Sequence, residues 1–261
     1  MNTTDETFAP LLEFALLLRT PMLPSADVIN KYLLDHFPGS PSVAEQSGGD
    51  AVLDLLYDEN KPVQLELLGE TYNSDELDPV CEHAWWWPEA GEAVSQHNSV
   101  LLIRMNAEGC DIVEAMVLLT ILTSAVASLV DTAAIYWADG ALINSTDYFT
   151  QEVARARSSQ PPIPLTLWIS LFLGEVTPGK LTLSTIGMSV FGYPELEVVD
   201  ADCEVDQILQ VSHSVALHML ETDIVHEDGE TLELASGRKV SIHRALSIFN
   251  DEDPVLRLEI S

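Results

Sequence analysis

Seven histidines, three cysteines and 42 aspartates and glutamates are the side chains of this 261-residue sequence that have chemistry to offer. Metal binding would need several of them to converge. His213 and His218 lie five apart in a helical stretch, which sets the two imidazoles about 140° apart around the axis, too far to share one ion. One core-edge and one surface histidine are expected there. Asp200, Asp202, Glu204 and Asp206 alternate like the start of a calcium loop. That loop needs glycine sixth and glutamate twelfth, where this register has Val205 and Val211. A solvated acidic turn is expected instead. Cys81 and His83 are two apart, a spacing that implies no nucleophile and base without a fold to place them. The serine-hydrolase, zinc-protease, P-loop and dinucleotide fingerprints are all missing from the sequence. No catalytic residue, metal or cofactor is therefore assigned, and a non-enzyme is expected. An unrecognised hydrolase with paired carboxylates in a pocket is the remote alternative.

Charge is the strongest physical signal. Eleven lysines and arginines stand against the 42 acids, for a net charge of −31. That sign excludes direct nucleic-acid binding and disfavours anionic membranes. The acids cluster at 75–82, 195–206, 221–233 and Asp251-Glu252-Asp253, and such runs steer basic partners. Solubility alone competes as an explanation, but does not need so large a value. Adaptation to salt fits poorly with a mean hydropathy of +0.14. Trp85-Trp86-Trp87 cannot all face one core, because neighbouring side chains diverge. Two are expected to pack inward, with one covering the edge of a lobe, where tryptophan is also a common binding anchor.

These residues need elements to position them. Residues 14–19 read as a buried strand, and Ser25 opens a helix that Pro38-Gly39 stops. Residues 39–50 read as a loop. Residues 51–57 and 63–68 make a hairpin around the Asp58-Glu59-Asn60-Lys61-Pro62 turn. The acidic stretch 71–82 is the natural boundary between lobes. A short helix at 89–97, a strand at 100–105 and a long apolar helix at 111–130 follow. The apolar segment 112–130 is nearly long enough to span a bilayer, but it holds Glu114 and four serines or threonines and lacks a basic flank. A helix buried between layers explains it better. Next come a strand at 133–137, a helix at 145–157 capped by Ser145 or Thr146, and a hairpin from 165–173 and 180–185. A helix at 204–221 precedes short strands at 231–234, 239–243 and 256–260, with turns at Asp228-Gly229 and Ser236-Gly237. The fold class is α+β, with mixed or antiparallel sheets, hairpins and packed helices. The strand–helix–hairpin order occurs early and again later, as a weak duplication would produce. The divisions read as 1–70, 83–225 and a β extension at 226–261, or one integrated domain. Asp5 and Glu6 stand where an export signal would be basic, and three widely spaced cysteines suit reduced thiols. A cytoplasmic protein is expected.

Several phrases occur together: Trp87-Pro88-Glu89-Ala90 with His97, Ala134-Ile135-Tyr136-Trp137, Leu167-Trp168-Ile169, and above all Thr185-Ile186-Gly187-Met188 with Phe191-Gly192-Tyr193-Pro194-Glu195-Leu196-Glu197. Over roughly residues 10–225 the sequence resembles the bacterial domain-of-unknown-function family numbered 4261. The resemblance implies no catalytic residues. It implies small cytosolic accessory proteins, a kind that in some families serves as immunity proteins beside secreted toxins. Thr185, Gly187, Phe191, Gly192, Pro194 and Glu195 read as structural: the glycines permit tight backbone, Pro194 fixes a bend, and Glu195 or Glu197 caps or pairs. The expected partner is a basic protein, such as a secreted effector toxin. Asp223, Glu227, Asp228 and Glu230 form the acidic contact, and Trp86 is the aromatic anchor. Charge reversal at Asp223, Glu227 and Asp228 is expected to weaken binding without lowering stability. The alternatives are a scaffold or homo-oligomer, with the tryptophans at a symmetric interface, and a nucleic-acid mimic.

Overall fold

A computed structural model describes residues 11–58, 60–234, 237–250 and 252–260. The expectations placed on Asp5, Glu6, Glu59, Ser236 and Asp251 lie outside them. Among the described residues the fold is α+β, with two largely antiparallel sheets and six α-helices. It divides into two units, residues 1–138 with 143–162, and residues 139–142 with 163–261.

The first unit contains β1 (Leu11–Leu18), α1 (Ala26–His36), β2 (Val43–Gly48), β3 (Val52–Tyr57), β4 (Lys61–Leu68), α2 (Ser74–His83), α3 (Ala90–Val94), β5 (Ser99–Asn106), α4 (Ile112–Ala127), β6 (Thr132–Trp137) and α5 (Thr146–Arg157). The short strand β7 (Leu142–Asn144) completes a seven-stranded sheet in the order β2-β3-β4-β5-β1-β6-β7. The near-continuous apolar run of β1 belongs at its centre. Leu12 and Phe14 through Leu18 are buried, and antiparallel neighbours flank them on both sides. Helix α4 is apolar on all sides and correspondingly enclosed. Every residue from 118 to 127 is buried, and Asp111 caps the helix by accepting the Glu114 amide at 2.8 Å. No helix among the described residues is long and apolar enough to cross a membrane.

The acidic stretch 71–82 is not a boundary. Asn73 caps α2 there, and α2 buries Leu77 in a cluster with Leu17, Val100 and Tyr136. One carboxylate-flanked leucine is enough to dock a polar helix, and composition hides it. The loop expected at 39–50 contains β2, an edge strand whose residues after Val43 are exposed. Solvation on both faces leaves it no apolar alternation. It is held by pairing to β3 and by the Asn30 side chain, which exchanges two hydrogen bonds with the Val43 backbone (2.7 and 2.8 Å).

The second unit contains β8 (Ser170–Gly174), β9 (Leu181–Ile186), β10 (Glu195–Ala201), α6 (Val205–Thr222), β11 (Thr231–Glu233), β12 (Lys239–Leu246) and β13 (Pro254–Ile260), in a sheet ordered β11-β12-β13-β10-β9-β8. The strand expected at 165–173 opens instead as a 3-10 turn at Leu165–Leu167 before β8 begins. Strand β10 carries no sequence expectation of its own. The segment 226–261 is integral to this sheet, because β13 runs parallel to β10 and pairs with β12 on its other side. Along β9, β10 and β13 the buried Leu183, Leu196, Val198 and Leu256 point to the face where α6 packs. Ser184, Glu195, Glu197 and Val255 alternate onto the other face.

The strand–helix–hairpin order does recur. In the first unit it is β1-α1-β2-β3-β4, and in the second β10-α6-β11-β12-β13. In both, the last strand of the meander runs parallel to the first strand. The two are adjacent in the second unit, whereas β5 lies between them in the first.

Candidate binding site

The Thr185–Glu197 block folds around one carboxylate. Glu195 Oε1 accepts the Gly187 and Ser189 amides at 3.0 and 3.1 Å, and Oε2 accepts the Thr185 hydroxyl at 2.7 Å. Thr185 Oγ1 in turn accepts the Leu196 amide at 2.8 Å. Glu195 thus caps the 3-10 turn Met188–Phe191 and ties it to β9 and β10. Gly187 sits at φ +120°, and a Cβ there would lie 2.5 Å from the Trp168 carbonyl oxygen. Phe191 stacks on Trp168 with ring centroids 5.4 Å apart, and Gly192 turns the chain at φ +80°. These contacts bring together Thr185, Gly187, Phe191 and Glu195 of the block, and Gly192 turns the chain into Pro194.

Glu197, with no solvent exposure, anchors a second feature. It accepts the Ser247 hydroxyl (2.5 Å), the Ile248 amide (3.3 Å) and Arg257 Nη2 (3.2 Å). Ser247 Oγ accepts the Phe249 and Asn250 amides. A buried carboxylate therefore fixes the loop between β12 and β13.

Four of the five residues expected to contact a partner follow α6 in the second unit. Asp223 ends the helix at φ +54° and accepts the Tyr193 hydroxyl at 2.8 Å. Glu230 Oε2 accepts the Glu227 amide at 2.9 Å and lies 3.0 Å from Nδ1 of the buried His226, an arrangement that holds its carboxyl below the usual range, the amide contributing most. Asp228 Oδ1 accepts the Arg244 amide at 3.0 Å, and Glu227 pairs with Arg244 at 3.3 Å. The Gly229 amide donates to the Ile242 carbonyl. Residues 223–230 are therefore an ordered acidic loop with two exposed aliphatics, Ile224 (48%) and Val225 (40%), which sequence reasoning passed over. Asp223 and Asp228 also hold the fold, so reversing their charge loosens the loop as well as changing the surface. Of the four, only the Glu227 carboxylate carries no backbone contact; it pairs with the exposed Arg244 side chain.

Trp86 belongs to the first unit. It is half-buried, donates its indole N–H to Asn144 Oδ1 at 3.2 Å, and packs with Trp87 on the cluster around Leu17 and Tyr136. Trp85 is the exposed member of the trio, at 71%. The structure gives Trp86 a packing role and leaves Trp85 as the indole open to contact. His218 and His226 stack with centroids 5.5 Å apart, a contact between helix and loop that the His213–His218 spacing does not reveal. Burial pushes the Cys81 and Cys203 thiols up.

No curated protein and no solved structure matches the chain. The matched family is "Domain of unknown function (DUF4261)", over residues 184–259, a span within the second unit that takes in the Glu195-centred block, the acidic loop and the terminal strands.

Proposed function

We propose that the protein is an acidic binding protein that neutralises a basic partner, most simply as an immunity protein that inhibits a basic secreted toxin. The observation that carries this reading is the ordered acidic loop at 223–230, in which Ile224 and Val225 are exposed among Asp223, Glu227 and Asp228. An interface that binds well has a small apolar centre rimmed by charge. A loop already fixed by its own hydrogen bonds loses little freedom on binding. The net charge of −31 supplies the long-range field that raises the encounter rate with a cationic partner. In this reading the carboxylates occupy the cationic surface through which the partner meets its phosphate-bearing substrate, and the aliphatics supply buried contact.

The test is affinity capture from the native cell lysate at low salt, eluted by a salt step, with wild type and an Ile224→Ala/Glu227→Lys variant side by side. The reading expects one stoichiometric basic protein on the wild type and at least roughly tenfold less on the variant. Both baits should have nearly the same thermal midpoint, because neither side chain bonds the backbone and the exposed Glu227–Arg244 pair contributes about 1 kcal/mol or less. Equal recovery on the two baits would remove the loop from the interface.

A scaffold role has one specific observation behind it, the exposed Trp85. Sedimentation equilibrium on wild type and Trp85→Ala separates the readings: a defined oligomer that the substitution dissolves favours self-assembly.

A further inference from the structure

On the face of the second sheet opposite α6 lies a pocket of about 900 Å³, lined by β9, β10, the start of β13 and the loop between β12 and β13. That volume is in the range of ligand-binding clefts. Two features of it need explaining.

The first is an excess of negative charge. Glu195, Glu197 and Asp253 all line the pocket; Arg257 pairs with the buried Glu197, whereas among the described residues Glu195 and Asp253, which accepts the Asn250 side-chain N–H at 2.7 Å, have no cationic partner. The three donors on Glu195 are two amides and a hydroxyl. They solvate its charge without neutralising it. An anionic ligand is excluded here, and a second copy of a chain with net charge −31 is opposed for the same reason.

The second is exposed apolar surface at the mouth, next to hydrogen-bonded backbone. Phe249 is 63% exposed although its own amide is bonded to Ser247 Oγ, on a loop anchored through buried Glu197. Ile186 on the opposite wall is 38% exposed. A large aromatic exposed on backbone that is itself hydrogen-bonded is the arrangement of an interaction surface. Its ring face also suits a cation.

We propose that this pocket seats an arginine or lysine side chain that a peptide segment of a basic partner presents beside an apolar residue. The cation lies between the Glu195 and Asp253 carboxylates and the Phe249 ring, and the apolar neighbour lies against Ile186. The proposal rests on the binding of basic partners proposed above. It adds a contact separate from the 223–230 loop, next to it through the Tyr193–Asp223 hydrogen bond, since Tyr193 also lines the pocket.

The experiment is fluorescence anisotropy at physiological salt with three labelled short peptides. One alternates arginine with leucine and phenylalanine, the second replaces arginine with glutamate, and the third replaces the apolar residues with serine. Each is titrated with the wild-type full chain, Phe249→Ala, Asp253→Asn and Glu227→Lys, all checked by thermal melts. The wild type should bind the arginine–apolar peptide saturably and leave the glutamate peptide free. Phe249→Ala should weaken binding at least roughly tenfold, Asp253→Asn severalfold, and Glu227→Lys less than either. Equal affinity of Phe249→Ala and wild type, or equal binding of the serine peptide, overturns the proposal. So does a wild type that binds none of the peptides. Loss confined to Glu227→Lys overturns the pocket and leaves the acidic loop as the binding surface, so the two readings fail separately.

Discussion

Gly187 and Gly192 stand five residues apart in one block, yet they are constrained for different reasons. At Gly187 both the backbone angle and the space forbid a side chain, because the Cβ would meet the Trp168 carbonyl at 2.5 Å. At Gly192 the φ of +80° is unfavourable, but nothing lies within 4 Å. Gly187→Ala is expected to destabilise by about 3 kcal/mol in urea unfolding, and Gly192→Ala by about 1 kcal/mol. Equal losses would mean that the Trp168 contact is not limiting. Two glycines, a proline and an acid in one short run imply a tight capped turn, and Glu195 caps a 3-10 turn at Met188–Phe191. The burial of Glu197 was not legible, because Glu195 and Glu197 are the same residue type two positions apart. Only the Ser247 loop, fifty residues on, separates their environments. Which of the three indoles stays exposed was not legible for a similar reason. Any of the three indoles satisfies the sequence; in the fold Trp86 and Trp87 pack inward, Trp86 held by Asn144, and Trp85 is exposed.

At the scale of elements, the loop between β12 and β13 depends on Glu197. Removing a buried carboxylate strands its cation, so Glu197→Ala is expected to cost about 3 kcal/mol and to raise protease cleavage at residues 247–253. An uncleaved loop in that variant would contradict the anchoring. The acidic loop has its own pH signature. Glu230 holds its proton less tightly folded than unfolded, so its contribution is present at neutral pH, above the ordinary glutamate range. It is lost as pH falls through that range and then through the lowered folded value. Glu230→Gln should therefore lower the urea midpoint at pH 7, and the gap should close as pH falls below the ordinary glutamate range; a gap unchanged by acid would be evidence against the hydrogen-bonded cap. Elements with one apolar face were legible from periodicity, as α6 and the terminal strands show. Strand β2 was not, because an exposed edge strand has no apolar face. Nor was α2, whose helix docks through the single fully buried side chain of Leu77.

For the whole molecule the governing quantity is charge. Eleven cations cannot neutralise 42 carboxylates however they are paired. Self-repulsion should therefore make the thermal midpoint rise between about 0.01 M and about 1 M salt, as the screening length falls from about 30 Å to about 3 Å. Binding to a basic partner should move the opposite way, weakening over the same range. The layered α+β class was legible from interleaved strands and hairpins. The division into two units was not, since the seven-stranded sheet recruits β5 from beyond the acidic stretch to pair with β1 and β4.

The most direct test of the central claim is the side-by-side capture of a partner by wild type and Ile224→Ala/Glu227→Lys at low salt, with recovery quantified by mass spectrometry. The account predicts one stoichiometric basic protein, released by salt and strongly reduced on the variant. Recovery of no basic protein by the wild type would contradict it and reduce the charge of −31 to a matter of solubility.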